Sequence, residues 1–323
     1  MHNLIFAEGT AQGVRLLENL VMLNVNNEFR KVFFIVNKFS GSGFQAEMEQ
    51  TFKRTCEARE WEFGLAYTQA PGHASTLATE ALHAGYRKIV AVGGDGTINE
   101  VARSLVHTPA AMGIIPNGSG NGLARHLGIP MKVTDALECL FTSKVIPIDT
   151  FRLNDKLSLN VSGIGFDGFV AGLFGGEKQR GFRGYTKLVL SEFMTFPEFE
   201  ASITSEGRTL TTTQFVIAIA NSTQYGNNAK IAPAASVCDG LLDISIVKKF
   251  PAYRLDFIYS FFSGTIHQSE YCETFQVRDV SVQLRAPMAF HIDGEPAGTT
   301  DYFKVGIDPA SLNMLAPHES NKV

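Results

Sequence analysis

"IVAVGGDGTINEVARSL", residues 89–105, runs four apolar residues straight into Gly93, Gly94, Asp95, Gly96 and Thr97, then switches at once to helical periodicity. Strand, glycine turn and helix in that order are the wiring of phosphate binding. Glycines let backbone N–H groups approach an anion, and the helix N-terminus adds a partial positive charge. The spacing fits neither a Walker loop nor a dinucleotide fingerprint. Asp95 is the odd member, because a carboxylate repels phosphate. It fits if Mg²⁺ or its water shell lies between the two. The same five residues also read as a tight turn in which Asp95 caps the helix.

The flanking sequence repeats this wiring. "KVFFIV" (31–36) reads as a buried strand, followed by the loop "NKFSGSG" and a helix with Phe44, Met48, Phe52 and Cys56 on its inner face. "WEFGLAY" and "AMGIIP" read as further strands, and "GHASTLATEALHAG" as a helix ended by Gly85. Alternating strands and helices predict an α/β domain with a parallel sheet. Three strand ends are glycine-rich, at residues 37–43, 93–97 and 117–122. Ligands of open α/β sheets sit at such carboxyl ends.

Near Ile146 the pattern becomes strand-like with turn signals, and one helical interruption is expected at about residues 184–195. The expected division is residues 1–148, an α/β domain, and 149–303, a β-rich, sandwich-like domain. Residues 304–323 are expected to return to the first domain, and 1–21 to be an extension outside the fold. "SGIGFDG" holds a G-x-G-x-x-G in the β-rich half, where a sharp turn is the better account than a dinucleotide site.

Composition excludes several classes. The chain has 323 residues, 45% hydrophobic and 19% charged, with net charge −4, so no basic nucleic-acid surface is indicated. Four separated cysteines without a C-x-x-C argue for free thiols in a reducing cytoplasm rather than zinc or disulfides. No apolar run has the length of a transmembrane segment. Twenty-five phenylalanines indicate either ample core or an apolar site. His73, His83, His107, His126 and His267 show no ligand spacing.

"GGDGTINEV", "GIIPNGSGNGLARHLGIP", "CDGLLDISIV" and "FHIDGEP", in that order, resemble the diacylglycerol kinase catalytic-domain family, which includes bacterial lipid kinases and sphingosine kinases, with NAD kinases as distant relatives. The resemblance spans about residues 31–312. It implies a two-domain, ATP-dependent lipid kinase acting in phospholipid metabolism, with ATP in the cleft between domains and Mg²⁺ as its metal. By position it implies nucleotide contacts at Asn37, Ser40, Gly41, Thr68, Gly94, Asp95, Gly96, Thr97, Asn99, Glu100 and Ser119. It implies a structural Mg²⁺ at Asp239 with the carbonyls of Ser236 and Leu241, and Asp149 linked to that network. Glu295 is the implied proton acceptor, with Asp293 beside it. Taken alone, "DG" at 293–294 is also a hairpin turn, and "CDG" a turn into a strand. Two departures stand out: Asn37-Lys38 in place of Asn-Pro, and "GSGNGLAR", closer to sphingosine kinases than to the usual bacterial "GTxNDFAR".

The function expected is phosphorylation of a lipid hydroxyl, on diacylglycerol or a sphingoid or related lipid. The alternatives are an NAD kinase-like small-molecule kinase, opposed by the lack of a second "NE" motif, and a non-catalytic nucleotide or lipid sensor, opposed by Asp95, Asp293 and Glu295 together. The lipid would be met at a membrane surface by a peripheral cytoplasmic enzyme, and a homodimer is compatible with this. Residues 168–188 place Phe169, Val170, Leu173 and Phe174 beside Lys178, Arg180, Arg183 and Lys187, which reads as a glycine-rich docking lid or as a core strand with a solvated loop.

Overall fold

The computed structural model describes residues 30–41, 46–174, 191–251 and 253–318. The extension at 1–21 and the four basic residues expected to dock, Lys178, Arg180, Arg183 and Lys187, lie outside them. Strands β1 (Lys31–Val36), β2 (Glu62–Tyr67), β3 (Lys88–Gly93) and β4 (Ala111–Pro116) are parallel in the order β2-β1-β3-β4. β3 and β4 are buried at nearly every position, as their unbroken apolar runs demand of strands covered on both faces. Helices α1 (Ala46–Glu57), α2 (His73–His83), α3 (Asp95–Leu105), α4 (Gly122–His126) and α5 (Val133–Thr142) connect or follow them. α3 buries Ile98, Val101, Ala102 and Leu105, the i, i+3, i+4, i+7 stripe legible in the sequence. Strand order reverses between β1 and β3, so the loops leaving these two strands flank a switch point where a ligand can enter.

The second half is β-rich, as expected. β5 (Lys144–Leu153), β6 (Lys156–Ser158), β7 (Val161–Gly165), β8 (Phe199–Ser205), β9 (Arg208–Gln214), β10 (Val216–Ala220), β11 (Leu242–Val247), β12 (Cys272–Val277), β13 (Asp279–Ile292) and β14 (Glu295–Ala316) pair antiparallel. β14 forms a hairpin with β13, then runs on until Asn313 and Met314 pair in parallel with Ala111 and Met112 of β4. β5 accompanies it, with Ile146 and Ile148 in the core of the parallel sheet and Phe151 and Leu153 in that of the β-rich half. One hydrogen-bonded sheet of 14 strands therefore joins both halves among the described residues.

Three helices were not expected: α5 (Val133–Thr142) in the first half, and α6 (Phe166–Phe174) and α7 (Leu255–Ser263) in the β-rich half. "SGIGFDG" is the end of β7 running straight into α6, with Gly165 at φ +101° making the change of direction. α7 was hidden because "LDFIYSFFS" is apolar nearly all round. Phe257 is buried, while Leu255, Ile258, Tyr259 and Phe262 are exposed, so no single apolar stripe marks the period. Residues 191–195 are helical, within the interruption that was expected. Among the described residues many phenylalanines are core: Phe166, Phe193, Phe196, Phe215, Phe250 and Phe257 form a third cluster in which neighbouring ring centroids lie 4.3–5.8 Å apart. Among the described residues, no helix is long and apolar enough to cross a membrane.

The return of β14 is tested at Met314, which is fully buried against the parallel sheet. Met314→Ala is expected to lower the unfolding free energy by about 2–5 kcal/mol in denaturant titration. A loss below about 0.5 kcal/mol would mean that this strand end is not part of the core.

Candidate active site

The loops leaving β1, β2, β3 and β4 meet the β13–β14 turn around a cleft of about 870 Å³. Asn37, Ser40, Gly41, Thr68, Gly94, Asp95, Gly96, Thr97, Asn99, Glu100, Ser119, Asp293 and Glu295 all line it. The expected nucleotide and catalytic residues, distant in sequence, are thus brought to one place.

The loops hold one another. Asn37 Nδ2 donates to Thr97 Oγ1 at 3.1 Å, and the Asn37 backbone N–H donates to the Val92 carbonyl at 2.9 Å. Ser40 Oγ donates back to the Asn37 carbonyl at 2.9 Å. Lys38 Nζ sits 3.6 Å from the centroid of the Tyr67 ring, a cation–π contact at the cleft edge. The glycines at 94 and 118 are required by backbone packing: a Cβ on Gly118 would lie 2.5 Å from the Gly94 Cα. No residue with a side chain brings these two loops so close.

Asp95 and Glu100 have structural partners the sequence did not disclose. The Asp95 carboxylate accepts N–H bonds from Asn121 at 2.8 Å and Gly122 at 2.9 Å, clamping the third glycine loop at the start of α4. Burial, and then the charge of Asp293, push the Asp95 carboxyl up to about 6. Glu100 accepts from Gly72 N–H at 2.8 Å and Ala74 N–H at 3.1 Å, so it caps α2 from the neighbouring helix. Neither pairing could be found by a local rule, since the partners lie more than 20 residues away.

The two carboxylates of "DGE" differ sharply. Asp293 is 6% exposed and accepts from Asn99 Nδ2 at 2.7 Å, Ser158 Oγ at 2.6 Å, Leu159 N–H at 3.1 Å and Asn160 N–H at 2.9 Å. Asn99 is buried too and also donates to the Leu157 carbonyl at 2.9 Å. Asp293 thereby ties α3 to the β-rich half. Glu295 is exposed at the cleft and faces the main glycine loop, such that a Cβ on Gly96 would lie 3.1 Å from its Oε1.

Ser236, Asp239 and Leu241 do not line the cleft. Asp239 Oδ1 accepts from Leu241 N–H at 3.0 Å, and Gln276 Nε2 approaches Oδ2 at 3.5 Å. Behind them buried Asp149 accepts from Gly240 N–H and Ala310 N–H, both at 2.7 Å, which fixes the turn. The Asp243 carboxyl nearby is pushed up to about 6 by burial, against the hydrogen bond from Gln276 and with the charge of Asp239. No cluster of three His, Cys, Asp or Glu side chains able to hold a metal forms among the described residues. A cation held at Asp239 would need backbone oxygens to complete its shell.

Residues 31–153 match the diacylglycerol kinase catalytic domain, and 162–316 the YegS C-terminal NAD kinase beta sandwich-like domain. A "Probable lipid kinase YegS-like" protein of Klebsiella pneumoniae is 31% identical over 265 residues, 77% of this chain and 84% of that one. The chain belongs to the diacylglycerol kinase-like family. A YegS-like relative from Shewanella frigidimarina is 28% identical over 246 residues, 74% of this chain and 79% of the relative. A diacylglycerol kinase crystal structure from Bacillus anthracis superposes with a TM-score of 0.70 at 20% identity, covering 90% of this chain and 97% of that one, a likeness of fold. Within this family the resemblance read from four motifs, and the two-part fold it implied, are borne out.

The raised pKa of Asp95 has a sign. Its carboxyl holds a proton in the folded chain at pH values where the unfolded chain has already released it. Stability from this group is therefore present near pH 4 and lost as pH rises through about 6. Asp95→Asn removes that dependence. The wild-type melting temperature minus that of Asp95→Asn is expected to fall between pH 4 and pH 7, and a difference that stays constant would exclude the buried carboxyl as its source.

Proposed function

We propose that the chain is an ATP-dependent lipid kinase that phosphorylates the hydroxyl of diacylglycerol or of a sphingoid or related lipid. The observation that carries this reading is the placement of Glu295, a carboxylate exposed to the cleft and opposed to Gly96 at the start of α3. A kinase of this kind needs a proton acceptor facing the place where phosphates sit, and little other covalent chemistry.

The chain's own residues then divide the work. The N–H groups at the start of α3 and the glycine backbone of the three loops would hold the phosphates. Asn37 and Thr97, bonded to each other, keep the first loop against the second. Glu295 would take the proton of the attacking hydroxyl, while Asp293, surrounded by donors, holds the turn that presents it. The cleft is acidic, with Asp95, Glu100, Asp293 and Glu295 against Arg103 and Lys156. That donor set fits a polyphosphate that arrives with a cation and not a bare anion. When bound, ATP would supply the γ-phosphoryl group and Mg²⁺ would offset its charge. A second Mg²⁺ at Asp239, with the carbonyls of Ser236 and Leu241, would stiffen the β-rich half away from the cleft.

The lipid would be met at a membrane surface by a peripheral, cytoplasmic enzyme. Of the expected docking segment, Leu173 is exposed, and Lys178, Arg180, Arg183 and Lys187 lie outside the described residues.

The test is turnover of radiolabelled ATP against a lipid panel. Glu295→Gln is expected to lower kcat by roughly 100-fold or more with little change in the KM for ATP. Asp293→Asn is expected to lower the melting temperature, because an oxygen now shared by several donors, the Leu159 and Asn160 N–H groups among them, becomes an NH2 that can only donate. A Glu295→Gln protein within about threefold of wild type would remove Glu295 from the chemistry.

A further inference from the structure

The glycine run "SGIGFDG" finds its use in a buried cluster beside the cleft, shared with His291 of "FHIDGEP". His291, on β13, is 2% exposed. Its Nδ1 accepts the backbone N–H of Gly294 at 3.1 Å, and its Nε2 lies 3.3 Å from Asp167 Oδ2. Because Nδ1 is an acceptor, the ring proton belongs on Nε2, where it donates to Asp167. The same Asp167 oxygen accepts from the Tyr225 hydroxyl at 3.0 Å, and Tyr225 lines the cleft. Asp167 Oδ1 accepts from Gly168 N–H at 2.8 Å.

Space for this carboxylate comes from glycine. A Cβ on Gly163 would lie 1.7 Å from Asp167 Oδ2, and one on Gly168 would lie 2.4 Å from the Ala289 carbonyl oxygen. The first and last glycines of the run thus let α6 pack down on β13 with Asp167 aimed at His291.

What His291 holds is the turn itself. Ile292 and Glu295 are paired across Asp293 and Gly294, whose φ angles are +50° and +89°. This two-residue turn is gripped from both sides: Asp293 by Asn99, Ser158, Leu159 and Asn160, and Gly294 by His291. Glu295 is the next residue. The geometry points to His291 as a positioning residue: with Asp167 and Tyr225 behind it, it fixes the direction in which Glu295 leaves the turn. This rests on the kinase reading only for its kinetic consequence, since the grip on Gly294 exists whatever the substrate.

Two variants separate this role from the filling of space. His291→Leu keeps bulk and loses the acceptor. His291→Asn puts Oδ1 near the place of Nδ1 and keeps it. Hydrogen exchange of the Gly294 amide, followed by NMR, is expected to be slow in wild type and His291→Asn and at least tenfold faster in His291→Leu. With lipid and ATP, kcat is expected to fall roughly 10- to 100-fold in His291→Leu with KM for ATP within about twofold, and to stay within about threefold of wild type in His291→Asn. Equal Gly294 exchange in wild type and His291→Leu overturns the inference, and so does an unchanged kcat in His291→Leu or equal impairment of both variants. A wild type that phosphorylates no lipid would defeat the kinase reading, and the Gly294 amide would still decide the grip.

Discussion

Everything at the cleft is referred to the buried carboxylate of Asp293. A charge taken out of water costs several kcal/mol unless donors replace its hydration. Here the donors come from α3, through Asn99, and from the segment around β6 and β7, through Ser158, Leu159 and Asn160. The carboxylate can be satisfied only when the helix behind the main glycine loop and the turn carrying Glu295 are both in place. One buried charge thereby fixes the distance between a phosphate-binding loop and its facing carboxylate.

The glycines and the acidic residues of the loops serve the same end. Gly94 and Gly118 are small so that two backbones can touch, and Asp95 then clamps the touching loop through two N–H groups. Glu100 does likewise for the loop before α2. Residues that read as ligand contacts therefore also build the loops, and substitution at either carboxylate acts on shape as well as on chemistry. The hydrogen-bonded sheet continues through β5 and β14 beneath both halves.

β3, β4 and α3 were legible because the two strands are unbroken apolar runs and the helix has a single buried stripe. The three glycine-rich strand ends were legible as well, and the structure gathers them. What could not be read was pairing at a distance. Nothing local links Asp95 to Asn121, Glu100 to Gly72, or Asp293 to Asn99, and each was assigned a role from its motif alone. His291 lay inside the quoted "FHIDGEP" but was given no role, since a single histidine on a strand has no spacing to notice. α6 and α7 were missed for opposite reasons: one begins inside a glycine run that resembles a turn, and the other is apolar on both faces.

The claim that a single buried joint sets the cleft is tested most directly by a double-mutant cycle on Asn99 and Asp293. Equilibrium unfolding of Asn99→Ala, Asp293→Ala and the pair together measures how far each loss depends on the other. A coupling free energy of about 1–3 kcal/mol is expected, because removing Asn99 leaves the buried carboxylate short of a donor. Losses that add to within about 0.3 kcal/mol would contradict the account, for they would mean that α3 and the Glu295 turn are held in place independently.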